Sequence, residues 1–296
     1  MCRQPDPLLD AGLIASTPWR PDLHLHTTAS DGLLSPREVV LRARAQGVNL
    51  MAVTDHDTLH GLEEAALTAR EAGISFIPGI EISTQGEEEI HLLGYFVKRG
   101  NPGLDALLDA MHTDRAQREP RFLQRLAALG MPITHQDLQI PPGAMFSRPL
   151  LARAMVRKGY ADSIGHAFEA YLGVGRPGYV PRMYVATEHA VQILREMQAV
   201  PVLAHPGLIR KTPEELDQLL DVWTAAGLKG IEAFHPAHTQ ADCLYWQAAA
   251  RRRGLLVTGG SDFHGRTDSL HGDIGQMLTQ WNDASRDAQI MLDMAA

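Results

Sequence analysis

The sequence predicts an α/β fold in which a barrel-like, mainly parallel sheet is interrupted by a helical insertion. From about Arg20 onward, short β-branched runs alternate with amphipathic stretches, the pattern of a parallel sheet covered by helices. Clusters of His and Asp follow several of these runs, where parallel α/β folds place their active sites. Residues 99–199 differ, because they are Arg-rich and show helical spacing without a convincing strand.

The first helix of the predicted barrel is capped by Ser35. The segment Ser35-Pro36-Arg37-Glu38 has the form of a capping box with Pro at the first helical position, and Gly47 is expected to end this helix. A strand at 50–53 and a helix at 61–71 follow. Strands near 76–82 and 90–97 complete this half.

The insertion and the second half of the barrel are predicted in the same way. Leucines from Leu104 onward follow helical spacing, and Pro120 is expected to break or kink that helix. Alternation resumes with a strand at 200–204, a helix capped by Thr212, a strand at 230–234, a helix ending near Gly254 and a strand at 255–257. The predicted division is therefore a poorly ordered extension at 1–19, a barrel at 20–98 and 200–285, and a helical insertion domain at 99–199.

Composition limits the class of protein. With 296 residues, of which 45% are hydrophobic, the chain can bury one large core or two smaller ones. A net charge of -8 argues against a large basic surface for double-stranded DNA. Two cysteines are too few for a disulfide framework, which indicates a reducing compartment. Without a secretory signal or a membrane-length apolar run, we expect a cytoplasmic protein with no membrane partner, and the oligomeric state stays open.

The histidines carry the strongest functional signal. In Asp22-Leu23-His24-Leu25-His26 the alternation of a strand turns His24 and His26 to one side, with the spacing that chelates one ion. Asp31 lies in the loop that follows. Further candidates come later in the chain: His56 within Thr54-Asp55-His56-Asp57-Thr58, Glu81, His91, His205, and Asp262 with His264.

A single buried His or Asp is more often a hydrogen-bonding residue than a metal ligand. The combination of HxH, DHD and DxH reverses these odds, because burying so many charges without cations costs several kcal/mol per ion. Nitrogen and oxygen donors without thiolate suit Mn, Fe, Zn or Mg rather than a structural zinc. Nearly all of these candidates lie at or just past the carboxyl end of a predicted strand. His91 is the exception, since it lies at the start of one.

At this point the motifs resemble those of the PHP superfamily, named for polymerase and histidinol phosphatase. In chain order they are DLHLHTTASDG at 22–32, TDHDT at 54–58, LAHPG at 203–207 and GSDFHG at 260–265. The resemblance runs from about residue 20 to 275. It implies a distorted (β/α)7 barrel, a trinuclear metal site at the carboxyl ends of the strands, and phosphoesterase activity with two or three divalent ions. The choice of metal does not follow from the resemblance; Mn is the first candidate, with Fe, Zn and Mg as alternatives.

The resemblance also implies how the ligands are shared. His24, His26 and Asp262 would hold the first ion, and Glu81 would bridge to a second. His91 and His205 would complete the second site, and Asp31, His56 and His264 would hold the third.

Within the superfamily, the segments Phe146-Ser147-Arg148-Pro149 and 175–181 are similar to the branch that hydrolyses nucleoside 3′,5′-bisphosphates. That branch removes the 3′-phosphate of adenosine 3′,5′-bisphosphate, and some members degrade short oligoribonucleotides from the 5′ end. The implied partner is therefore a small nucleotide or short RNA.

The expected mechanism uses a hydroxide that bridges two ions, because water between divalent ions loses a proton near neutral pH. Arg148 is the first candidate for a bidentate phosphate clamp, with Arg176 and Arg182 as further candidates. The alternative for Arg148 is a plain first residue of a helix that Ser147 caps. Asp57 and His238 are candidates for the general acid, or for groups that orient metal ligands.

Three other functions stay open. Histidinol phosphate is the nearest alternative substrate, although the insertion is not typical of that branch. A proofreading exonuclease fits less well, since no polymerase region follows and the chain is acidic. A non-catalytic metal-binding or regulatory module is the alternative of a different class. Asp55 and Glu232 are interpreted as structural or ligand-orienting groups, and His271 as a surface or helix residue.

Overall fold

The structure, a computed structural model, describes residues 18–85, 89–140, 146–181, 185–267 and 270–295. The chain divides into two compact units. One unit takes residues up to 108 and from 184 onward, and the other takes residues 109–183. The helical unit is thus narrower than the 99–199 of the sequence prediction, because residues 185–186 pair with the sheet and the helix at 187–196 belongs to the first unit.

The first unit contains the sheet. Its strands in the described residues are β1 Pro21–Asp22, β2 Leu50–Val53, β3 Ser75–Gln85, β4 Glu89–Tyr95, β5 Val185–Ala186, β6 Val200–Leu203, β7 Gly230–Phe234 and β8 Leu256–Gly259. Hydrogen-bonded neighbours follow the order β1-β2-β3-β4-β6-β7-β8, and β5 pairs with β3. All of these pairs are parallel except that β4 runs antiparallel to β3 and β6.

The sheet is closed where the segment after β1 meets the segment after β8. Leu25 forms a parallel bridge with Phe263, and the His26 amide donates to the Phe263 carbonyl at 3.0 Å. The Leu23 amide donates to the Gly259 carbonyl at 3.2 Å. The predicted distorted barrel is therefore confirmed, although the first strand is shorter than its alternating sequence indicates.

Helices cover the outside of the barrel or form the second unit. In the first unit they are α1 Pro36–Ala45, α2 Leu62–Ala72, α7 Thr187–Glu196, α8 Pro213–Ala226, α9 Gln240–Arg252 and α10 Ala284–Ala295. The helix α3 Pro102–Ala128 begins in the first unit and continues into the second, which also contains α4 His135–Leu138, α5 Arg148–Arg157 and α6 Ile164–Ala167. None of the helices in the described ranges combines the length and hydropathy of a membrane span.

The local helix signals agree with the structure at most positions. Ser35 and Glu38 form the predicted capping box of α1, and Thr212 and Glu215 form that of α8. The helix does not break at Pro120, because α3 continues through it. Arg148 is indeed the first residue of α5, but the side chain of Ser147 makes no capping hydrogen bond.

Each unit has its own core. Every residue of β2, β6, β7 and β8 is buried, as expected for strands covered by helices. The second unit packs around Phe122, Leu126, Leu151 and Met155. Residues 1–17 of the predicted extension lie outside the described residues, whereas Trp19 is buried and its indole N–H donates to Gln289 of α10.

Candidate metal centre

The nine side chains predicted to bind metal meet at one end of the barrel in the first unit. His24 and His26 follow β1, His56 follows β2, Glu81 lies in β3, His205 follows β6, and Asp262 and His264 follow β8. Carboxyl ends of parallel barrel strands share one face, which brings these residues together. His91 joins them because β4 is antiparallel, so the start of β4 lies beside the end of β6, where the Ala204 amide donates to the His91 carbonyl at 3.1 Å.

The innermost group is formed by His24, His26, Glu81 and Asp262, all of which are buried. Asp262 Oδ1 lies 3.2 Å from His24 Nε2 and 3.1 Å from His26 Nε2. Glu81 Oε2 lies 3.3 Å from each of the same two nitrogens. Gly260 permits this approach, since a Cβ there would meet the His24 Cβ at 2.3 Å.

Glu81 joins this group to a second one. Its Oε1 lies 2.9 Å from His91 Nδ1 and 3.0 Å from His205 Nε2. Its Oε2 lies 3.0 Å from His56 Nδ1. The two carboxylate oxygens therefore face different sets of imidazoles, which is the geometry that a bridging ligand requires.

The outer group contains His26, Asp31, His56 and His264. Asp31 Oδ1 is 3.2 Å from His264 Nε2, and Asp31 Oδ2 is 3.8 Å from His56 Nε2. The Asp31 side chain is 56% exposed, so this group lies on the solvent side.

Charges in the cluster oppose the effect of burial on pKa. Burial lowers the pKa of His26, but Asp262 and Glu81 outweigh it and raise that pKa to about 10. Burial likewise lowers the pKa of His24, which Glu232, Asp262 and Glu81 hold well above its usual value. Burial raises the pKa of Glu81, and His56, His91 and His24 bring it well below its ordinary range. The buried carboxylates thus favour positive charge on the neighbouring histidines. Divalent ions bound in the pocket would supply positive charge of the same kind.

Several buried atoms at the centre have no hydrogen-bond partner. They are His24 Nε2, His26 Nδ1 and Nε2, His56 Nδ1, Glu81 Oε2 and Asp262 Oδ1. An unsatisfied buried polar atom costs about 1–3 kcal/mol, and more when it is charged. Nitrogen and oxygen atoms arranged in this way are suitable ligands for divalent cations, so the residues present fit the metal ions that the sequence predicts.

Three buried carboxylates hold the candidate ligands in place. Glu232 contacts His24 Nδ1 at 3.0 Å and accepts the His205 amide at 2.9 Å. Asp55 accepts hydrogen bonds from the amide and hydroxyl of Thr27 and from the Ser30 hydroxyl, which orders the loop before Asp31.

Asp22 is the third of these carboxylates. It accepts the amides of Ser261 at 2.9 Å and Gly275 at 2.7 Å, and burial raises its pKa to about 6. It therefore ties β1 to the last motif and to the segment that follows that motif.

The two candidate general acids are both buried. His238 Nδ1 donates to the Ala233 carbonyl at 2.9 Å, so its Nε2 accepts the Gly207 amide at 3.0 Å. Burial lowers the pKa of His238, and the neutral ring connects the loops after β6 and β7. Asp57 Oδ1 accepts the Ser83 amide at 2.8 Å.

Sequence reasoning missed two histidines beside Asp262. His235 Nε2 lies 3.3 Å from Asp262 Oδ2, and its position directly after β7 is the signal that identifies the other site residues. His271 Nε2 lies 4.0 Å from the same oxygen, and its ring centroid is 4.3 Å from that of His264. The sequence interpretation made His271 a surface or helix residue; the structure places it, partly buried, beside Asp262 and His264, and no strand pattern marks its position.

Two of the candidate phosphate-binding arginines, Arg148 and Arg176, belong to the second unit. The Arg148 guanidinium lies 5.9 Å from the Phe168 ring centroid, and Arg176 is exposed. Arg182 lies outside the described residues.

Comparisons with known proteins agree with this site. A family model described as the PHP domain matches residues 22–294. A 3′,5′-nucleoside bisphosphate phosphatase of Chromobacterium violaceum is 35% identical over 246 residues, which are 82% of this chain and 86% of the relative. A 5′-3′ exoribonuclease of Haemophilus influenzae is 34% identical over 244 residues, which are 82% of this chain and 89% of the relative.

A solved structure has the same fold. It is an amidohydrolase from Chromobacterium violaceum with bound sulfate and no metal, and it matches with a TM-score of 0.71 at 32% identity. The match covers 87% of this chain and 93% of that chain. Because the family model and the relatives each span most of the sequence, this chain belongs to the PHP domain family and is a metal-dependent hydrolase of phosphoester bonds.

Proposed function

We propose that this enzyme removes the 3′-phosphate of nucleoside 3′,5′-bisphosphates, converting adenosine 3′,5′-bisphosphate to AMP and phosphate. The convergence of nine ligand-type side chains, with buried atoms that lack partners at their centre, carries the proposal. The 35% identity to a relative named for this activity supports the choice of substrate.

The proposed metal centre contains three divalent ions, and we favour Mn. The predicted allocation places His24, His26 and Asp262 on the first ion, His91 and His205 on the second with Glu81 between them, and Asp31, His56 and His264 on the third. When bound, such ions activate water and neutralise the charge on the phosphoryl group. Glu232 and Asp55 keep the ligands in position.

The phosphate clamp and the general acid are further parts of the proposal. Arg148, Arg176 and Arg182 are assigned to the phosphate from the sequence alone. Of the two acid candidates, Asp57 is the better one, because both ring nitrogens of His238 are engaged by the backbone. We assign His238 to support of the Gly207 loop.

Stepwise hydrolysis of short RNA is the second candidate function. Relatives named as 5′-3′ exoribonucleases in Haemophilus influenzae and Escherichia coli are 34% and 33% identical to this chain. Both reactions need the same attack on a phosphoester beside a nucleotide, so one site can serve either.

The deciding experiment is phosphate and nucleotide release by the Mn-loaded protein. Adenosine 3′,5′-bisphosphate is expected to yield phosphate and AMP faster than histidinol phosphate yields phosphate. Mononucleotides released only from 5′-phosphorylated oligoribonucleotides would support the second candidate instead. No product from any of these substrates would contradict the substrate assignment.

Asp262→Asn provides the control for this assay. Asn tolerates a left-handed backbone such as that of Asp262, whose φ is 49°, so the fold is expected to persist. Removing the carboxylate charge from the innermost group is expected to abolish turnover. Full activity in this variant would refute the proposed role of the centre.

A further inference from the structure

The two oxygens of Asp262 face different surroundings. Oδ1 points to His24 and His26 in the innermost group, at 3.2 and 3.1 Å. Oδ2 faces two histidines outside the nine predicted ligands, His235 at 3.3 Å and His271 at 4.0 Å. Oδ2 therefore faces a different pair of histidines from the pair that Oδ1 faces.

His235 is a hydrogen-bond donor to Asp262. Its Nδ1 accepts the Ala237 amide at 3.2 Å, which leaves the proton on Nε2, the nitrogen that faces Asp262 Oδ2. The side chain is fully buried, and burial lowers its pKa. A nitrogen that carries its proton cannot ligate an ion, so His235 orients the carboxylate.

His271 has a different relation to Asp262. At 4.0 Å, its Nε2 is too far from Oδ2 for a hydrogen bond. Two donors that share one ion, each about 2.1 Å from it, lie at most about 4.2 Å apart. The 4.0 Å between His271 Nε2 and Asp262 Oδ2 is within this span, and donor atoms of Asp262, His264 and His271 all lie within 4.8 Å of one another, so small side-chain shifts would let the three surround one cation.

The segment that carries His271 is attached firmly to the barrel. The Gly272 amide donates to the Ser261 carbonyl at 2.8 Å, and Arg42 donates three hydrogen bonds to Asp273, at 2.9, 3.0 and 3.2 Å. A Cβ at Gly272 would lie 2.7 Å from Pro236 Cγ, so only glycine allows this close contact. His271 is therefore held beside Asp262 before any ligand arrives.

We propose that His271 is a tenth ligand of the metal centre, binding a divalent cation together with Asp262 and His264. The inference rests on the metal-dependent centre proposed above and adds a nitrogen donor to its solvent side. His264 Nδ1 donates to the Asp262 carbonyl at 2.8 Å, which leaves His264 Nε2 for the ion. The side chains of His271 and His264 are 22% and 11% exposed, so a phosphate can reach an ion held there.

Metal binding by variants of His271 tests the proposal. The chain is loaded with Mn2+, dialysed against a fixed low concentration of the metal, and analysed for metal equivalents per chain. Co2+ titration followed by visible absorption then reports the ligand field and the affinity of each site. His271→Ala is expected to lose one equivalent or to bind it at least about tenfold more weakly, with a changed Co2+ spectrum.

His189→Ala is the matched control, because His189 is an exposed histidine of α7 in the same unit. It is expected to keep the metal content and spectrum of the unaltered protein. His271→Gln keeps a polar side chain of similar size, and it decides the outcome alone if His271→Ala fails to fold.

Unchanged stoichiometry, affinity and Co2+ spectrum in the folded variants would overturn the proposal. These measurements need no substrate. Failure of the bisphosphate assay would therefore leave this result intact, and loss of metal from the His271 variants would not decide which substrate is used.

Discussion

At the scale of single residues, the backbone of the centre is adapted as well as its side chains. His205 and Asp262 have φ values of 25° and 49°, in a region that residues other than glycine rarely adopt. Such conformations cost on the order of 1–3 kcal/mol and persist where surrounding contacts determine them. Here Glu232 accepts the His205 amide, and Asp22 accepts the amide of Ser261 just before Asp262.

Glu232 offers a test of how ligand orientation affects metal affinity. Glu232→Gln keeps the size of the side chain but removes the charge that faces His24 Nδ1. We expect metal affinity to fall about 10- to 100-fold, the usual effect of losing a group that orients a ligand. Isothermal titration of the metal-free protein with Mn2+ measures this change.

Glu71→Gln is the control for this variant, since Glu71 is an exposed residue of α2. It should bind Mn2+ like the unaltered protein. Equal affinities in the two variants would show that Glu232 has no part in orienting His24.

At the scale of elements, one reversed strand changes which residues reach the site. The strand β4 is antiparallel, so its beginning lies at the face where the parallel strands end. His91, near the start of β4, therefore meets Glu81 and His205. Site residues therefore gather at one face of the barrel, whether a given strand ends there or begins there.

Replacing Pro120 with alanine is expected to stabilise α3. A proline inside a helix lacks the amide proton and collides with the preceding turn. Pro120 is exposed, so Pro120→Ala loses no packing and is expected to raise the free energy of unfolding by about 1–3 kcal/mol. Urea denaturation and amide hydrogen exchange along α3 measure the effect.

Gln117→Ala is the matched control in the same helix, because Gln117 is also exposed. Its effect is expected to stay within about 0.5 kcal/mol. If Pro120→Ala changes stability no more than this control, proline does not strain the helix.

At the scale of the whole molecule, the centre concentrates buried charge that only cations or protons balance. Glu81, Glu232 and Asp262 are all buried at one end of the barrel, each with a pKa lowered by nearby histidines in spite of burial. Binding to the folded state stabilises it by mass action. We therefore expect bound metal to stabilise the barrel as well as to take part in its chemistry.

Removal of metal is expected to lower the unfolding temperature. At a free concentration one hundred times the Kd, each site adds about 2.7 kcal/mol to the free energy of unfolding. Calorimetric unfolding with EDTA, and again after Mn2+ is restored, measures the difference. Identical transitions in both conditions would contradict a metal centre coupled to folding.

Much of the barrel and its ligands was predictable because the signals are local. The alternation around His24 and His26, the capping boxes at Ser35 and Thr212, and the polar residues after buried strands all follow from neighbouring residues. These patterns depend on backbone geometry within a few positions. The sequence by itself thus determined the fold class, the nine ligand-type residues and their common location.

Only the tertiary structure decided how those residues share their contacts. Glu81 and His205 are 124 positions apart, and Asp22 meets Gly275 across 253 positions. The same holds for His271, which a well-anchored loop brings beside Asp262, and for His238, whose nitrogens are both used by the backbone. Contacts of this kind arise from closure of the barrel, and no local pattern encodes them.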